Sequence, residues 1–255
     1  VQVLPGARKK IKQTMIYILL PAYNEKRNLV KMFQKIEKLC EKISNITVIL
    51  VDDFSTDNTI LLKNKKYHFK LIYQRHKRNK GLSITLETGF NIILKKAKKD
   101  DIVVTLDSDN THPVSIIAGM IKKIHNGNQV VIASRFVSTS RVNGLTIWRH
   151  ILSIGAKYLF KLLHPYKNLN DYTCNFRAYK FELIKKVLQN KNFFKNEDFN
   201  IAAKIILFLI NKYKNLKLIE VPFTLSYDYK IGLSKMKLTK TIFLTLRLLF
   251  FKRQK

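Results

Sequence analysis

Short apolar runs punctuate the first half of the chain. Residues 16–20, 46–51, 71–73, 102–106 and 130–133 are rich in β-branched and aromatic side chains and show no polar alternation. Continuous apolarity over so few residues predicts strands buried on both faces, the condition of a parallel sheet. Between these runs the period lengthens. Leu29, Phe33, Ile36 and Cys40 recur at helical spacing behind Asn24, a good N-cap residue. Ile84, Thr88, Ile92 and Lys95 trace one line of a further helix, flanked by Phe90, Ile93, Leu94 and Ala97. Pro113 stands where a helix can begin, ahead of Ile116, Ile117, Met120, Ile121 and Ile124. Strand and helix alternate about every 30 residues, which predicts an α/β doubly wound domain over residues 15–135.

After Arg135 the alternation stops. Residues 141–163 read as largely helical, 181–188 as a short helix, 198–213 as a longer one and 218–225 as a strand. In the tail, Ile242, Phe243, Leu246, Leu249 and Phe250 mix with Lys240, Arg247, Lys252 and Arg253, a composition that suits an anionic membrane surface. No apolar run reaches the roughly 18 residues of a spanning helix, and residues 1–14 are basic without the apolar stretch of a signal peptide. Two cysteines, Cys40 and Cys174, make no disulfide framework and point to a reducing setting. The expected location is cytoplasmic, peripheral at the cytoplasmic face of a membrane.

Composition sharpens this picture. With 46% hydrophobic residues among 255, the chain has ample material for a core, which excludes wholesale disorder. Its 48 Lys and Arg against 17 Asp and Glu give a net charge of +31, a surface that attracts polyanions. Codon bias is the plain alternative source of that charge, since Asn and Ile are also abundant. A nucleic-acid-binding protein is the rival from another class. Its basic residues would be grouped with stacking aromatics, whereas here they are scattered, so no specific nucleic acid is expected.

Against such a background the acidic residues carry information. Six of the seventeen follow three of the predicted strands: Glu25, then Asp52, Asp53 and Asp57, then Asp107 and Asp109. Strands of a parallel sheet end on one edge, where ligands of open α/β sheets bind. Gathering carboxylates there is costly unless a cation or a hydrogen-bonding ligand joins them. Helix capping accounts well for Asp57 and partly for Asp52, but poorly for Asp107-Ser108-Asp109, which stands apart from the Pro113 helix start. Carboxylates at such a turn suit Mg²⁺ or Mn²⁺ with positions left for phosphate oxygens. Neither GxGxxG nor GxxxxGK occurs, so a nucleotide would be held by metal and basic side chains instead of a glycine cradle.

Leu20-Pro21-Ala22-Tyr23-Asn24-Glu25, followed by Val51-Asp52-Asp53-Phe54-Ser55-Thr56-Asp57, resembles the opening of glycosyltransferase family 2. Asp107-Ser108-Asp109 stands where that family has its metal-binding Asp-x-Asp. Gly81-Leu82, Ser134-Arg135-Phe136-Val137, the segment Asp171-Tyr172-Thr173-Cys174-Asn175-Phe176-Arg177 and Gly232-x-Ser234-Lys235 are similar to its dolichol-phosphate or polyprenyl-phosphate mannose synthase-like branch. The resemblance implies a GT-A-type fold over 15–235, with a nucleotide-sugar half (15–135), an acceptor half (136–235) and a basic amphipathic tail (236–255). It implies that Pro21, Tyr23, Glu25, Val51 and Asp53 line the nucleotide pocket, with Asp53 near the base or ribose. Asp107 and Asp109 would hold the metal, with Ser108 between them in the substrate site. Arg135, Arg149 and Lys235 would neutralise the diphosphate or a lipid phosphate, and Asp109, Arg135 and Lys235 form the expected catalytic set. Thr111, Asn175 and Lys230 depart from the residues usual in that branch, Gln, Gly and Arg.

The reaction so implied is metal-dependent, inverting transfer of a hexose, mannose from GDP-mannose, to a polyprenyl or dolichyl phosphate. A lipid monophosphate is largely ionised at neutral pH and needs no strong base. The alternative acceptor, a sugar hydroxyl of a growing glycan, does need one. Glu197-Asp198 is the only acidic pair in the region concerned, and capping of a helix from about Phe199 is its simpler reading. His112 reads as a turn residue before Pro113.

Overall fold

The computed structural model describes residues 14–229, 231 and 238–249. The first strands form as the apolar runs dictate: β1 (Ile16–Ala22), β2 (Ile46–Asp52), β3 (Lys70–Arg75), β4 (Ile102–Thr105) and β5 (Val130–Ser134). Every residue of β1, β2, β4 and β5 is buried. Side chains alternate between the faces of a strand. Ile16, Ile18 and Leu20 of β1 enter one core with α1 (Lys26–Cys40) and α3 (Ile117–His125). Tyr17 and Leu19 enter the other, with α2 (Leu82–Leu94). That core also receives α5 (Phe181–Leu188) and α6 (Ile201–Lys212). Helices therefore cover both faces, as expected. α2 lies so close to β1 that a Cβ at Gly89 would stand 2.1 Å from Leu19 Cδ1.

The seven-stranded sheet runs β3-β2-β1-β4-β7-β5-β8 and is parallel except for one member. β7 (Arg177–Lys180) is antiparallel to both β4 and β5, and β8 (Leu218–Pro222) pairs in parallel with β5. The second half of the chain is thus woven into the same sheet. A small second sheet pairs β6 (Arg141–Asn143) with β9 (Thr224–Ser226) in parallel.

Several boundaries differ from the sequence reading. Asn24 does not cap α1: it is left-handed at φ 53°, Glu25 takes the N-cap position, and Asn24 Oδ1 instead accepts from the Thr56 N–H at 2.7 Å. Pro113 opens a 3₁₀ turn before α3 begins. Residues 141–143 are strand because the Arg141 N–H reaches the Phe223 carbonyl, and α4 starts only at Ile147 (Ile147–Leu163). The helix expected from Phe199 begins at Ile201 with Asn200 as its N-cap. Four-residue β7 had no apolar run to announce it, since it opens on an arginine.

Two helices stand out by what they leave uncovered. Of the seventeen residues of α4 only Phe160 is buried, while Ile147, Trp148 and Leu162 are about three-quarters exposed at 76%, 74% and 76%. α7 (Leu238–Leu249) packs against α4 and α6, turning Leu244 and Leu248 inward and Phe243 and Leu246 outward. No described helix is long and apolar enough to cross a membrane.

Candidate active site

The carboxyl ends of β1, β2 and β4 carry the acidic rim, and local turns hold it in shape. After β4, the Ser108 hydroxyl donates to the Pro21 carbonyl at 2.7 Å, tying the Asp107–Asp109 turn to β1. Asp109 Oδ1 accepts from the backbone N–H (3.2 Å) and the hydroxyl (2.7 Å) of Thr111. Asp107 Oδ1 accepts from Asn175 Nδ2 at 3.1 Å. Asn175 reaches it because β7 runs antiparallel: the residues entering β7 lie at the edge where β4 ends. His112 Nδ1 accepts from the Asp107 N–H within the turn before Pro113, and its ring also packs on Phe176 and Phe223, which the sequence did not announce.

Beside this turn lies a cavity of about 440 Å³. Asp107, Asp109, Arg135 and Arg149 all line it, so the fold gathers four of the expected site residues from three separate segments. Ser153, one helical turn beyond Arg149 on α4, lines it as well. Its remaining walls are largely apolar, with Leu145, Leu152 and Leu159 on one side and Ile242 and Leu246 of α7 on another. Two carboxylates on one turn in the wall of a cavity are a hard oxygen donor set, which fits Mg²⁺ or Mn²⁺ completed by phosphate oxygens and water. Among the described residues no cluster of three or more His, Cys, Asp or Glu offers a closed metal site.

The nucleotide-side candidates occupy the neighbouring strand ends with different duties. Asp53 is buried, and its oxygens accept from His76 Nδ1 (2.7 Å) and from the N–H groups of Lys80 and Gly81 (2.8 Å each). His76 Nε2 in turn meets the Thr88 hydroxyl at 2.9 Å. Asp53 thereby folds the 76–81 loop over the end of β2, and Gly81, at φ +84°, makes the left-handed step into α2. Asp52 is equally committed, to the Ser55 N–H and the Tyr73 hydroxyl. Glu25 is buried at the start of α1 and accepts from Asn28 at 2.5 Å. Tyr23 is partly exposed at the rim, whereas the Val51 side chain points into the core and offers the rim only backbone. Lys235 lies outside the described residues.

Arg135 is the most constrained of the set. Its Nε and one terminal nitrogen grip Asp171 at 2.8 and 2.6 Å, its backbone N–H adds a third bond, and it also reaches the Thr173 hydroxyl at 2.5 Å. Burial pushes the Asp171 carboxyl up, but the charge and hydrogen bonds of Arg135 outweigh it and hold the group below the usual carboxylate range. Glu220 fixes Asp171 from behind by accepting from the backbone N–H groups of Asn170 and Asp171. What reaches the cavity from Arg135 is thus one edge of a paired guanidinium. Cys174 nearby is inert as a nucleophile, its thiol pushed up to about 12 by burial and by Asp171. Arg177 is fully buried, with no carboxylate partner among the described residues. It donates to the carbonyls of Ala202 (2.6 Å) and Tyr172 (2.7 Å), and its Nε has no partner among the described residues.

The Glu197-Asp198 pair does not cap α6. Glu197 turns instead to Lys204 and Arg247, while Asn200 Oδ1 accepts the Asp198 N–H and takes the cap position. Sequence reasoning missed Ser153, Asn175 and Asp171 as site-builders. Asp171 and Asn175 lay in a recognised motif without an assigned role, and the one-turn spacing of Arg149 and Ser153 was the available signal for the third.

The comparisons with known proteins agree with this geometry. The sequence model described as Glycosyl transferase family 2 matches residues 17–188. The chain is 32% identical over 236 residues to a dolichol-phosphate mannosyltransferase of Pyrococcus furiosus, covering 91% of this chain but only 62% of that protein's length. It is 25% identical over 239 residues to a polyprenol monophosphomannose synthase of Mycolicibacterium smegmatis, covering 91% of this chain and 84% of the relative. Among solved structures, glucosyl-3-phosphoglycerate synthase from Mycobacterium tuberculosis, in complex with Mn²⁺, UDP and glucosyl-3-phosphoglycerate, superposes with a TM-score of 0.60 at 15% identity, over 92% of this chain and 77% of that one. That likeness supports the GT-A-type, mostly parallel α/β fold. With its motif order, sheet and matched residues in agreement, the chain belongs to glycosyl transferase family 2.

Proposed function

We propose that the protein is a metal-dependent inverting glycosyltransferase that moves a hexose, mannose from GDP-mannose, onto a polyprenyl or dolichyl phosphate at a membrane surface. One observation carries this reading. The cavity that begins at Asp107 and Asp109 continues between apolar walls of α4 and α7, two helices that also expose Ile147, Trp148, Leu162 and Phe243. A soluble sugar acceptor has no use for such walls, whereas an isoprenoid chain anchored by a phosphate does. No acidic residue lies between Asp109 and Asp171, so α4 offers Arg149, His150, Lys157 and Lys161 to anionic headgroups without internal opposition. The relatives' names point the same way, one a dolichol-phosphate mannosyltransferase and the other a polyprenol monophosphomannose synthase.

In this reading Asp107 and Asp109 would hold Mg²⁺ or Mn²⁺; Mn²⁺ accompanies UDP in the solved glucosyl-3-phosphoglycerate synthase. The ion supplies positive charge where the diphosphate leaves. Arg149 and Ser153 receive the lipid phosphate, and Arg135, locked by Asp171, presents a fixed N–H edge at the same cavity. Lys235, outside the described residues, is the remaining candidate cation for the diphosphate or the lipid phosphate. Ser108 and Pro21 keep the turn at its distance from β1, and Asp53 sets the loop that faces the nucleotide. A phosphate oxygen of the acceptor forms the new bond to the anomeric carbon as the bond to the diphosphate breaks on the opposite face, and the nucleoside diphosphate departs. The nucleophile is already ionised, so no general base is required.

The test is a transfer assay with radiolabelled GDP-mannose, undecaprenyl phosphate and Mn²⁺ or Mg²⁺. The expected result is a label extractable into organic solvent and abolished by EDTA. Label passing to soluble oligosaccharide but not to the lipid would overturn the proposal.

A further inference from the structure

The segment between α5 and α6 touches both sides of the site, and one buried carboxylate holds it. Glu197 has a side chain only 2% exposed, and three donors converge on it. Its Oε1 accepts from Lys204 Nζ at 2.9 Å and from an Arg247 terminal nitrogen at 2.6 Å, and its Oε2 accepts from Asn200 Nδ2. Two donors belong to α6 and its N-cap, and the third comes from α7. Lys204 lies within α6 and also binds the Phe193 carbonyl at 2.6 Å. Asn200 is buried and lines the cavity. Arg247 projects from α7, whose Thr241, Ile242, Thr245 and Leu246 form a cavity wall, and it also reaches the Asn196 carbonyl. The same segment is fastened to the nucleotide side, because the Ser83 hydroxyl at the start of α2 donates to the Phe194 carbonyl at 2.7 Å.

We propose that Glu197 is a positioning residue for the acceptor site, holding α7 through Arg247 as a wall of the cavity and fixing Asn200 in the adjoining wall. The inference rests on the lipid-phosphate reading above and adds to it what keeps the lipid-facing helix in register with the site. Among the α7 side chains whose burial is described, Leu244 and Leu248 turn inward. Two leucines one turn apart fix a helix against its neighbours but leave it free to slide or roll, and a directional charge-assisted bond removes that freedom. A carboxylate as buried as Glu197 needs compensating donors. Lys204 and Asn200 supply them even without Arg247, so the tether can be cut without leaving a bare buried charge.

That asymmetry defines the experiment. The full chain carrying Arg247→Ala is assayed with GDP-mannose and undecaprenyl phosphate in detergent micelles, and amide hydrogen exchange is followed across residues 238–249. The expected result is a rise of about fivefold in the KM for undecaprenyl phosphate, the size of one partly exposed ion pair. The KM for GDP-mannose should stay within about twofold, with faster exchange in α7 and unchanged exchange in α5. Arg247→Lys, which keeps the charge, should recover most of the loss. An unchanged acceptor KM in Arg247→Ala, or an equal rise for both substrates, overturns the proposal while leaving the lipid-phosphate reading intact. If the wild-type chain itself does not use undecaprenyl phosphate, that reading fails, and exchange alone then judges the latch: faster α7 exchange supports it and unchanged exchange overturns it.

Discussion

The two sides of the cavity are built on opposite principles. Around β1 and β2, carboxylates spend their oxygens on neighbouring backbone: Asp52 on Ser55, Asp53 on Lys80 and Gly81, Asp57 on Lys26 and Thr59. Around α4 and α7, shape comes from apolar side chains that find few partners within the chain. The first side is preorganised before any ligand arrives, which suits charge developing on a leaving diphosphate. The second is apolar, with α7 held in register by Arg247 and its outward side chains left to adapt to a long flexible chain with one phosphate to place. A single scaffold thus carries a stiff half and an adaptable half, meeting at Asp107 and Asp109.

Breaking the stiff side should do the most damage. Asp109→Ala is expected to lower kcat at least about a thousandfold, or ~4 kcal/mol, with an unchanged thermal melt and unchanged vesicle binding; near-normal turnover would remove the metal assignment. At the junction, Asp171→Asn should cost about 3 kcal/mol of stability by leaving the Arg135 charge without its buried partner, read from urea denaturation at pH 7. The Asp171 carboxyl is held low in the folded protein. Its contribution is therefore complete above the unfolded value of about 4 and drains away as pH falls through the folded one. The gap between wild type and variant should accordingly narrow in acid, and a gap that stays constant from pH 7 to pH 3 would contradict the assignment. On the adaptable side, Trp148→Ser should weaken binding to phosphatidylglycerol vesicles about fivefold, ~1 kcal/mol. Turnover in detergent should fall less than binding does, and the reverse order would mean that α4 serves the reaction and not the membrane.

The same contrast explains what could be read in advance. β1, β2, β4 and β5 and the rim that follows them were legible because fully buried parallel strands leave uninterrupted apolar runs, and because carboxylates are rare in so basic a chain. β7 was not, since its position is fixed by partners on β4 and β5 and it begins with Arg177. The pairing of Arg135 with Asp171 was equally hidden: two matched motifs each displayed one member, and only the sheet brings them within 2.6 Å. Residues 141–163 read as helical and mostly are, but the pattern could not say that their apolar side chains would remain outside the core. An apolar period announces a helix face without naming what covers it.

Arg177 gives the site an interior brace. Its strand position pairs with Thr105, two residues before Asp107, and its guanidinium donates to the Tyr172 carbonyl ahead of β7 and to the Ala202 carbonyl in α6. One buried side chain therefore ties α6 and the segment ahead of β7 to the strand that delivers Asp107 and Asp109, so that a shift in any one of them is felt by the others.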